Sequence, residues 1–341
     1  MGAVLILIVL LVTVRQLHGP VIQIAKPLPP GTVEPKLAIA TDTAVLLAPD
    51  GSLWAWGEWN FWGLPSHRPA ISQVPLRVGT NSDWAQVAAG LRHFVALKSD
   101  GSLWAWGLNP DGQIGQPNLT TTYDAPTRIG RETNWIKISS SYFHNLALKN
   151  DHSLWAWGLN LYGQLGDGTT SNRSAPVMIG MDRDWQTIVA GGHSSYALKI
   201  NGTLWGWGAD FATITLAPRQ IVPGTNWLAI SSDAANLLIA LKTDGTLWLR
   251  GRRFNLLATH VDAGGVDALA QVGLDSDWSE IYAGRDSFFA RKKNGKWSVC
   301  GLNAEGQLGV GGIDVWCRHR NHCALTSSLG RSRREREPPF C

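Results

Sequence analysis

One short phrase recurs six times along this chain and leaves few folds open to it. Gly-Ser-Leu-Trp-Ala-Trp-Gly stands at 51–57 and again at 101–107. It returns as His-Ser-Leu-Trp-Ala-Trp-Gly at 152–158 and Gly-Thr-Leu-Trp-Gly-Trp-Gly at 202–208. Looser copies are Gly-Thr-Leu-Trp-Leu-Arg-Gly at 245–251 and Gly-Lys-Trp-Ser-Val-Cys-Gly at 295–301. The leading tryptophans, Trp54, Trp104, Trp155, Trp205, Trp248 and Trp297, are 50, 51, 50, 43 and 49 residues apart. A period near fifty marks one supersecondary unit copied along the chain, which outranks any single-residue motif.

Each copy holds β-prone runs joined by a turn. In the second, Val87–Lys98 leads through Ser99-Asp100-Gly101 into Leu103-Trp104-Ala105-Trp106. Asp-Gly between two such runs predicts a hairpin, because glycine accepts the positive φ of a tight turn. Asp50-Gly51, Asn201-Gly202, Asp244-Gly245 and Asn294-Gly295 repeat it. Asp151-His152 breaks the rule, so Asn150 or Asp151 is expected to supply the left-handed residue there. A second tryptophan follows a polar step in Asp83-Trp84, Asn134-Trp135, Asp184-Trp185, Asn226-Trp227 and Asp277-Trp278, each preceding another β-prone run. Three or four short strands per unit is the content of a propeller blade. The run Leu103–Trp106 is apolar on both faces, as a strand covered on both sides requires. No apolar period near 3.6 is sustained, which excludes helical solenoids.

Ala-Leu-Lys-x-Asp-Gly-x-Leu-Trp-x-Trp-Gly, followed by Leu-Asn-x-x-Gly-Gln-x-Gly at 108–115, 159–166 and 302–309, resembles the repeat of the regulator of chromosome condensation family. Histidines before the strand, His93, His144 and His193, fit the same pattern. The resemblance implies an all-β propeller, seven-bladed in the best-known members, and this chain looks like a truncated bacterial-type member. Kelch repeats share the period but place their glycines and aromatics differently. The expected organisation is an apolar leader or short anchor at 1–14, a Pro-rich linker at 15–36, repeats at 37–312 and a basic tail at 313–341. The repeats amount to five complete units plus a partial sixth, with Leu37–Leu47 as an N-terminal strand before the first hairpin, and an open or incomplete ring is expected. The fourth unit lacks the Gly-Gln loop; in the fifth, Leu249-Arg250 replaces Ala-Trp and Ser287 takes the histidine position.

The net charge of +4 is not spread evenly. Six arginines against three acids in 313–341 contribute +3, so the rest of the chain carries about +1 and the repeats offer no basic stripe for nucleic acid. The apolar run at the N-terminus gives about 20 Å of helix, too short for a bilayer core but suited to a signal segment or anchor. Export or membrane anchoring is therefore expected. The repeat pattern stops at Ile313, as after a frame slip or gene truncation, and the tail is expected to be loosely packed. Cys317, His319, His322 and Cys323 lie close together there, but their spacing matches no paired-ligand pattern, so no metal is assigned. Cys300 replaces a strand tryptophan and reads as core.

No nucleophile elbow, phosphate loop or zinc-protease helix occurs, so neither a catalytic residue nor a cofactor is assigned. The repeated histidines are expected to serve the unit, each bonding the backbone of its own blade, rather than to line a channel. The departure that points to function lies in the first unit, where Trp59, Phe61 and Trp62 enter a loop that elsewhere is polar. Clustered aromatics on a loop make binding hot spots, although they also suit a seam between blades. The sequence thus predicts a non-enzymatic scaffold that binds a protein or cell-envelope partner through its face loops. The resemblance also implies a second possibility, guanine-nucleotide exchange on a small GTPase, which an exported protein would not perform. Ultraviolet sensing, found in a plant protein of similar repeats, needs tryptophans beside arginines on an exposed face, whereas these read as buried.

Overall fold

A computed structural model describes residues 29–40, 43–58, 71–117, 122–209, 214–233, 237–251, 269–284, 287–301 and 308. The expected leader, most of the linker, the tail with Cys317, His319, His322 and Cys323, and the loop with Trp59, Phe61 and Trp62 lie outside these residues. Among the described residues every regular element is a β-strand. None of them forms a helix long and apolar enough to cross a membrane.

The hairpins form for the predicted reason. Gly101 sits at φ 76°, and its N–H bonds the Lys98 carbonyl at 2.9 Å. Asp100 then accepts the Ser102 amide at 2.8 Å, while the Trp104 indole donates to the Ser102 hydroxyl at 2.8 Å. That relay aims the leading tryptophan and recurs as Asp50–Ser52–Trp54, Asp151–Ser153–Trp155, Asn201–Thr203–Trp205 and Asp244–Thr246–Trp248. The polar residue before each Leu-Trp is therefore an indole acceptor. The exceptional third turn corrects the expectation. Neither Asn150 nor Asp151 is left-handed; His152 is, at φ 60°, with its Nδ1 3.0 Å from the Trp185 carbonyl oxygen of the next sheet.

In the second sheet, Trp84–Ala89, His93–Lys98, Leu103–Leu108 and Thr122–Ile129 pair antiparallel in chain order. Six such sheets follow one another, five with four strands and the sixth with three among the described residues. This revises the expected five units plus a fragment. Leu37–Leu47 is not one strand but two, Lys36–Ile39 and Thr43–Leu47, paired from Lys36↔Leu47 to Ile39↔Ala44. The Ala40 amide closes their turn on the Thr43 carbonyl at 2.9 Å, so the first hairpin heads a complete sheet of its own. Ser287 pairs with Gly301 and belongs to the sixth sheet, not the fifth. The outermost strands of the first four sheets carry Pro75, Pro126, Pro176 and Pro218, which deny hydrogen-bond donors to a neighbouring edge.

The sheets pack face to face with their first strands innermost and in contact. One apolar cluster joins Leu47, Leu53 and Val45 of the first sheet to Trp84, Val87 and Trp106 of the second. The next joins Val95, Leu97 and Leu103 to Trp135, Ile138 and Trp157. A strand covered on both faces is apolar throughout, as read from Leu103–Trp106. A hairpin latch reinforces the seams, and a second latch joins it where the Gly-Gln loop is present. The hairpin carbonyl of Gly101 accepts the Trp135 amide at 3.2 Å. The Gly-Gln loop supplies the second, for the Gln113 carbonyl accepts Asn145 Nδ2 at 2.8 Å and Trp157 Nε1 at 3.0 Å. Gln164 repeats this with Ser195 and Trp207. At Gly163, φ 72°, an added Cβ would come within 2.6 Å of Leu216 in the next sheet. The second half of the repeat is a clip between blades.

Candidate binding surface

The blades present two ends, and the conserved-looking chemistry at the hairpin end is satisfied internally. The leading tryptophans, Trp54, Trp104, Trp155, Trp205, Trp248 and Trp297, are half-buried. Four of them meet the deeply buried second tryptophan of the sheet edge-on: Trp104 with Trp84, Trp155 with Trp135, Trp205 with Trp185 and Trp248 with Trp227, at 5.6–5.9 Å between ring centroids. A lysine ammonium covers each pair; Lys149 lies 3.8 Å from the Trp155 ring centre and Lys199 4.5 Å from that of Trp205. Lys149 also pairs with Glu132 at 2.7 Å, and Lys199 with Asp182 at 2.6 Å. Burial pushes the Lys199 pKa down, but Asp182 and Asp184 more than offset it and the pKa is raised. These cages already hold their cation, so they are fixtures of the fold rather than places for an outside ligand.

The histidines behave differently from the expectation. His93 and His144 are fully buried at the first residue of the second strand, opposite Gly107 and Gly158. They reach forward into the next blade, not to their own backbone. His93 Nε2 lies 2.7 Å from Asn145 Oδ1 and 3.0 Å from Ser140 Oγ. His144 Nε2 lies 2.9 Å from the Ser195 hydroxyl, whose proton goes to the Gln164 carbonyl at 2.7 Å. Desolvation lowers the His93 pKa to about 4 and that of His144 to about 3, with His93 and His193 as added like charges on the latter. Both imidazoles are neutral seam pins. His193 does not share their register: Ser194 takes it, opposite Gly208, and His193 sits one residue outside the strand.

That offset delivers His193 to the loop end, where it meets two tyrosines. The Tyr162 ring centroid is 4.5 Å from that of His193, and Tyr142 is 5.6 Å away. Phe143 lies beside Tyr142 at 6.3 Å, and Leu161 next to Tyr162 is 61% exposed. Tyr142 has φ 31°, a left-handed conformation costly for a side chain of this size, and its carbonyl accepts the Leu91 amide of the preceding blade at 2.8 Å. Burial lowers the His193 pKa, which favours the neutral ring. The aromatic rings around the imidazole, with an exposed leucine alongside, present an apolar and aromatic patch at this end. Among the described residues no cluster of histidine, cysteine or acid side chains suits a metal.

Of the residues singled out from sequence, the six leading tryptophans, His93 and His144 are structural, and His193 joins the surface cluster. Trp59, Phe61 and Trp62 lie outside the described residues. Tyr142, Leu161 and Tyr162 were missed. The signal for Leu161 and Tyr162 lay in the variable positions of the fixed motif: Leu-Asn-Leu-Tyr-Gly-Gln stands where other copies read Leu-Asn-Pro-Asp and Leu-Asn-Ala-Glu.

Comparison with known proteins agrees with this architecture. Two models of the regulator of chromosome condensation (RCC1) repeat match, one at 84–113 and 135–164, the other at 100–148 and 151–198. The ultraviolet-B receptor UVR8 of Arabidopsis thaliana is 28% identical over 138 residues, 39% of this chain and 31% of the receptor. The X-linked retinitis pigmentosa GTPase regulator homolog of Caenorhabditis elegans is 34% identical over 130 residues, 37% of this chain and 9% of that protein. Yeast RCC1 (Prp20), solved with Kap60, superposes with a TM-score of 0.70 over 82% of this chain and 73% of its own at 19% identity, which shows the fold alone. The chain carries RCC1 repeats on a β-propeller of that kind.

Proposed function

We propose that this chain is a non-enzymatic propeller that binds a protein partner through the loop end of its third and fourth blades. One observation carries the reading. Tyr142, Tyr162 and His193 come from three separate loops and converge, with Tyr142 held in a strained backbone, while the equivalent chemistry at the hairpin end is closed. Yeast RCC1 (Prp20), which shares this fold, was solved bound to Kap60. The charge distribution argues against nucleic acid, since residues 1–312 together carry about +1. The apolar run at 1–14 extends the proposal to display at the cell envelope, and recovery of the protein from the cytosolic fraction would remove that part of it.

The test is cross-linking from a photoreactive phenylalanine placed at position 162, followed by reconstitution with whatever protein is recovered. Leu161→Asp and Tyr162→Ala should weaken that reconstituted complex at least tenfold at an unchanged melting temperature, since Leu161 is solvent-facing and Tyr162 partly so. Unchanged affinity in both variants would refute the assignment. Regulation of a small GTPase is the alternative, supported by the likeness to the nematode GTPase regulator homolog. Accelerated release of a fluorescent guanine nucleotide from a GTPase would favour it.

A further inference from the structure

Asn-x-Ser/Thr, the acceptor motif for N-linked glycosylation, occurs at 118–120, 172–174 and 201–203. The structure separates the three. Asn118 lies outside the described residues. Asn172 is engaged through both ends of its amide. Its Oδ1 accepts the Asn160 backbone N–H at 2.8 Å, and its Nδ2 donates to Asp111 Oδ1 at 3.1 Å. Those bonds tie the loop of the third unit to that of the second, and a sugar on Nδ2 would crowd them.

Asn201 is placed differently. It stands exposed in the hairpin turn of the fourth sheet, between the strands Ser194–Lys199 and Leu204–Ala209. Its Oδ1 accepts the Thr203 backbone N–H at 3.1 Å and the Thr203 hydroxyl at 2.7 Å. A backbone N–H can only donate, so the amide orientation is fixed and Nδ2 is left without a partner among the described residues. Aspartate does the same work at Asp50, Asp100, Asp151 and Asp244. The turn therefore uses the side-chain oxygen and has no need of an amide nitrogen. Asn294 has the amide, but Lys296 stands where the hydroxyl would be. Of the six equivalent turns, only the fourth joins a spare amide to a hydroxyl two residues on.

The surroundings of the turn fit a covering group. Ile200 is 55% exposed, and Met181, brought alongside by the Lys199–Asp182 ion pair at 2.6 Å, is 79% exposed. An N-linked glycan is bulky and polar and would shelter both side chains.

We propose that Asn201 is a site of N-linked glycosylation. Its Nδ2 attacks C1 of an oligosaccharide carried on a polyprenyl diphosphate. The C1–Nδ2 bond forms, the C1–O bond to the diphosphate breaks, the lipid diphosphate leaves, and one Nδ2 proton passes to a base of the transferase. The proposal rests on entry of the chain into a secretory lumen, the export part of the proposed function. The sugar stands at the hairpin end and leaves the loop end with Tyr162 open.

The full chain is expressed in cultured animal cells in two forms, one with its own N-terminus and one with an established signal peptide added ahead of it. Glycopeptides of the lumenal and secreted protein are mapped by mass spectrometry. A glycan on Asn201, removable by peptide N-glycosidase, is expected. Asn201→Asp keeps the acceptor oxygen that Asp100 supplies in the second turn, so it should lose the glycan and keep the native circular dichroism spectrum. Thr203→Ser keeps the motif and the hydroxyl and should retain the glycan. Modification of both forms supports the site and export together. Modification of the signal-peptide form alone supports the site and refutes export by the native leader. Bare Asn201 in the signal-peptide form, or sugar on Asn172 in its place, overturns the proposal.

Discussion

Replacing Gly101 by alanine should cost far more than replacing Gly130, and the difference isolates the contact between blades. Both glycines have positive φ, 76° at Gly101 and 64° at Gly130, so alanine pays a similar conformational penalty at each, about 1 kcal/mol. Their surroundings differ. A Cβ on Gly130 meets nothing within 4 Å, whereas one on Gly101 would lie 2.3 Å from the Thr133 carbonyl oxygen and 2.8 Å from its carbon. Those are backbone atoms and cannot rotate aside. Either the hairpin or the chain leading to Trp135 must shift, straining the Gly101 carbonyl bond to the Trp135 amide. Overpacking adds about 1–3 kcal/mol and the weakened hydrogen bond about 1 more. Gly101→Ala should therefore lose roughly 3–5 kcal/mol and Gly130→Ala about 1. Urea unfolding followed by tryptophan fluorescence and by far-ultraviolet circular dichroism reads the difference. Coincident transitions confirm that the blades unfold together, as the comparison requires. Equal losses within about 0.5 kcal/mol, the scatter of surface substitutions, would show that the hairpin glycine serves only its own turn.

The buried imidazoles make a pH prediction. His93 and His144 have folded pKa values near 4 and 3, below the ordinary value of 6.5. Their contribution is complete above pH 6.5 and lost progressively as pH falls toward 4 and 3, because the unfolded chain takes up protons first. Acid unfolding should set in below pH 6.5, and a His93→Gln, His144→Gln double variant should show a shallower fall between pH 6 and 4 in urea-midpoint measurements; a parallel fall would refute the seam role. Lys199→Met should lose about 1–2 kcal/mol through the ammonium's contact with Trp185 and Trp205. Because Asp182 and Asp184 are half-exposed, the loss should persist in 1 M sodium chloride, where their ion pairs are screened to about 3 Å. Disappearance of the loss in salt would assign it to the carboxylates instead.

The architecture was legible because its causes are local. A glycine after aspartate makes the turn, a serine or threonine two residues before each of five leading tryptophans accepts the indole N–H hydrogen bond, and an apolar run without alternation demands cover on both faces. The number of sheets was harder to read. The N-terminal pairing of Lys36–Ile39 with Thr43–Leu47 carries no repeat phrase. The outer-strand prolines at 75, 126, 176 and 218 were an available signal for fourth strands, since proline marks an edge.

His193 shows why the binding surface was the least legible part. Aligned by eye, it falls in with His93 and His144, but those stand five residues before Lys98 and Lys149, and His193 stands six before Lys199. In a strand of period two, one residue exchanges the two faces. Ser194 holds the inward position, nine residues after Trp185 as His93 is after Trp84, and Ser195 accepts the His144 hydrogen bond, so the seam closes without a third imidazole. His193 is thereby released from the core and meets Tyr142 and Tyr162 at the loop end. Trp185 stands fourteen residues before Lys199, as Trp84 does before Lys98 and Trp135 before Lys149, so a change of residue at unchanged length creates the surface. Exchanging His193 and Ser194 should place an imidazole in the register of His144 and abolish the contact with Tyr162, which the histidine ring resonances in a nuclear magnetic resonance spectrum would report. Ring shifts unchanged by the exchange would mean that the loop, not the register, positions the imidazole.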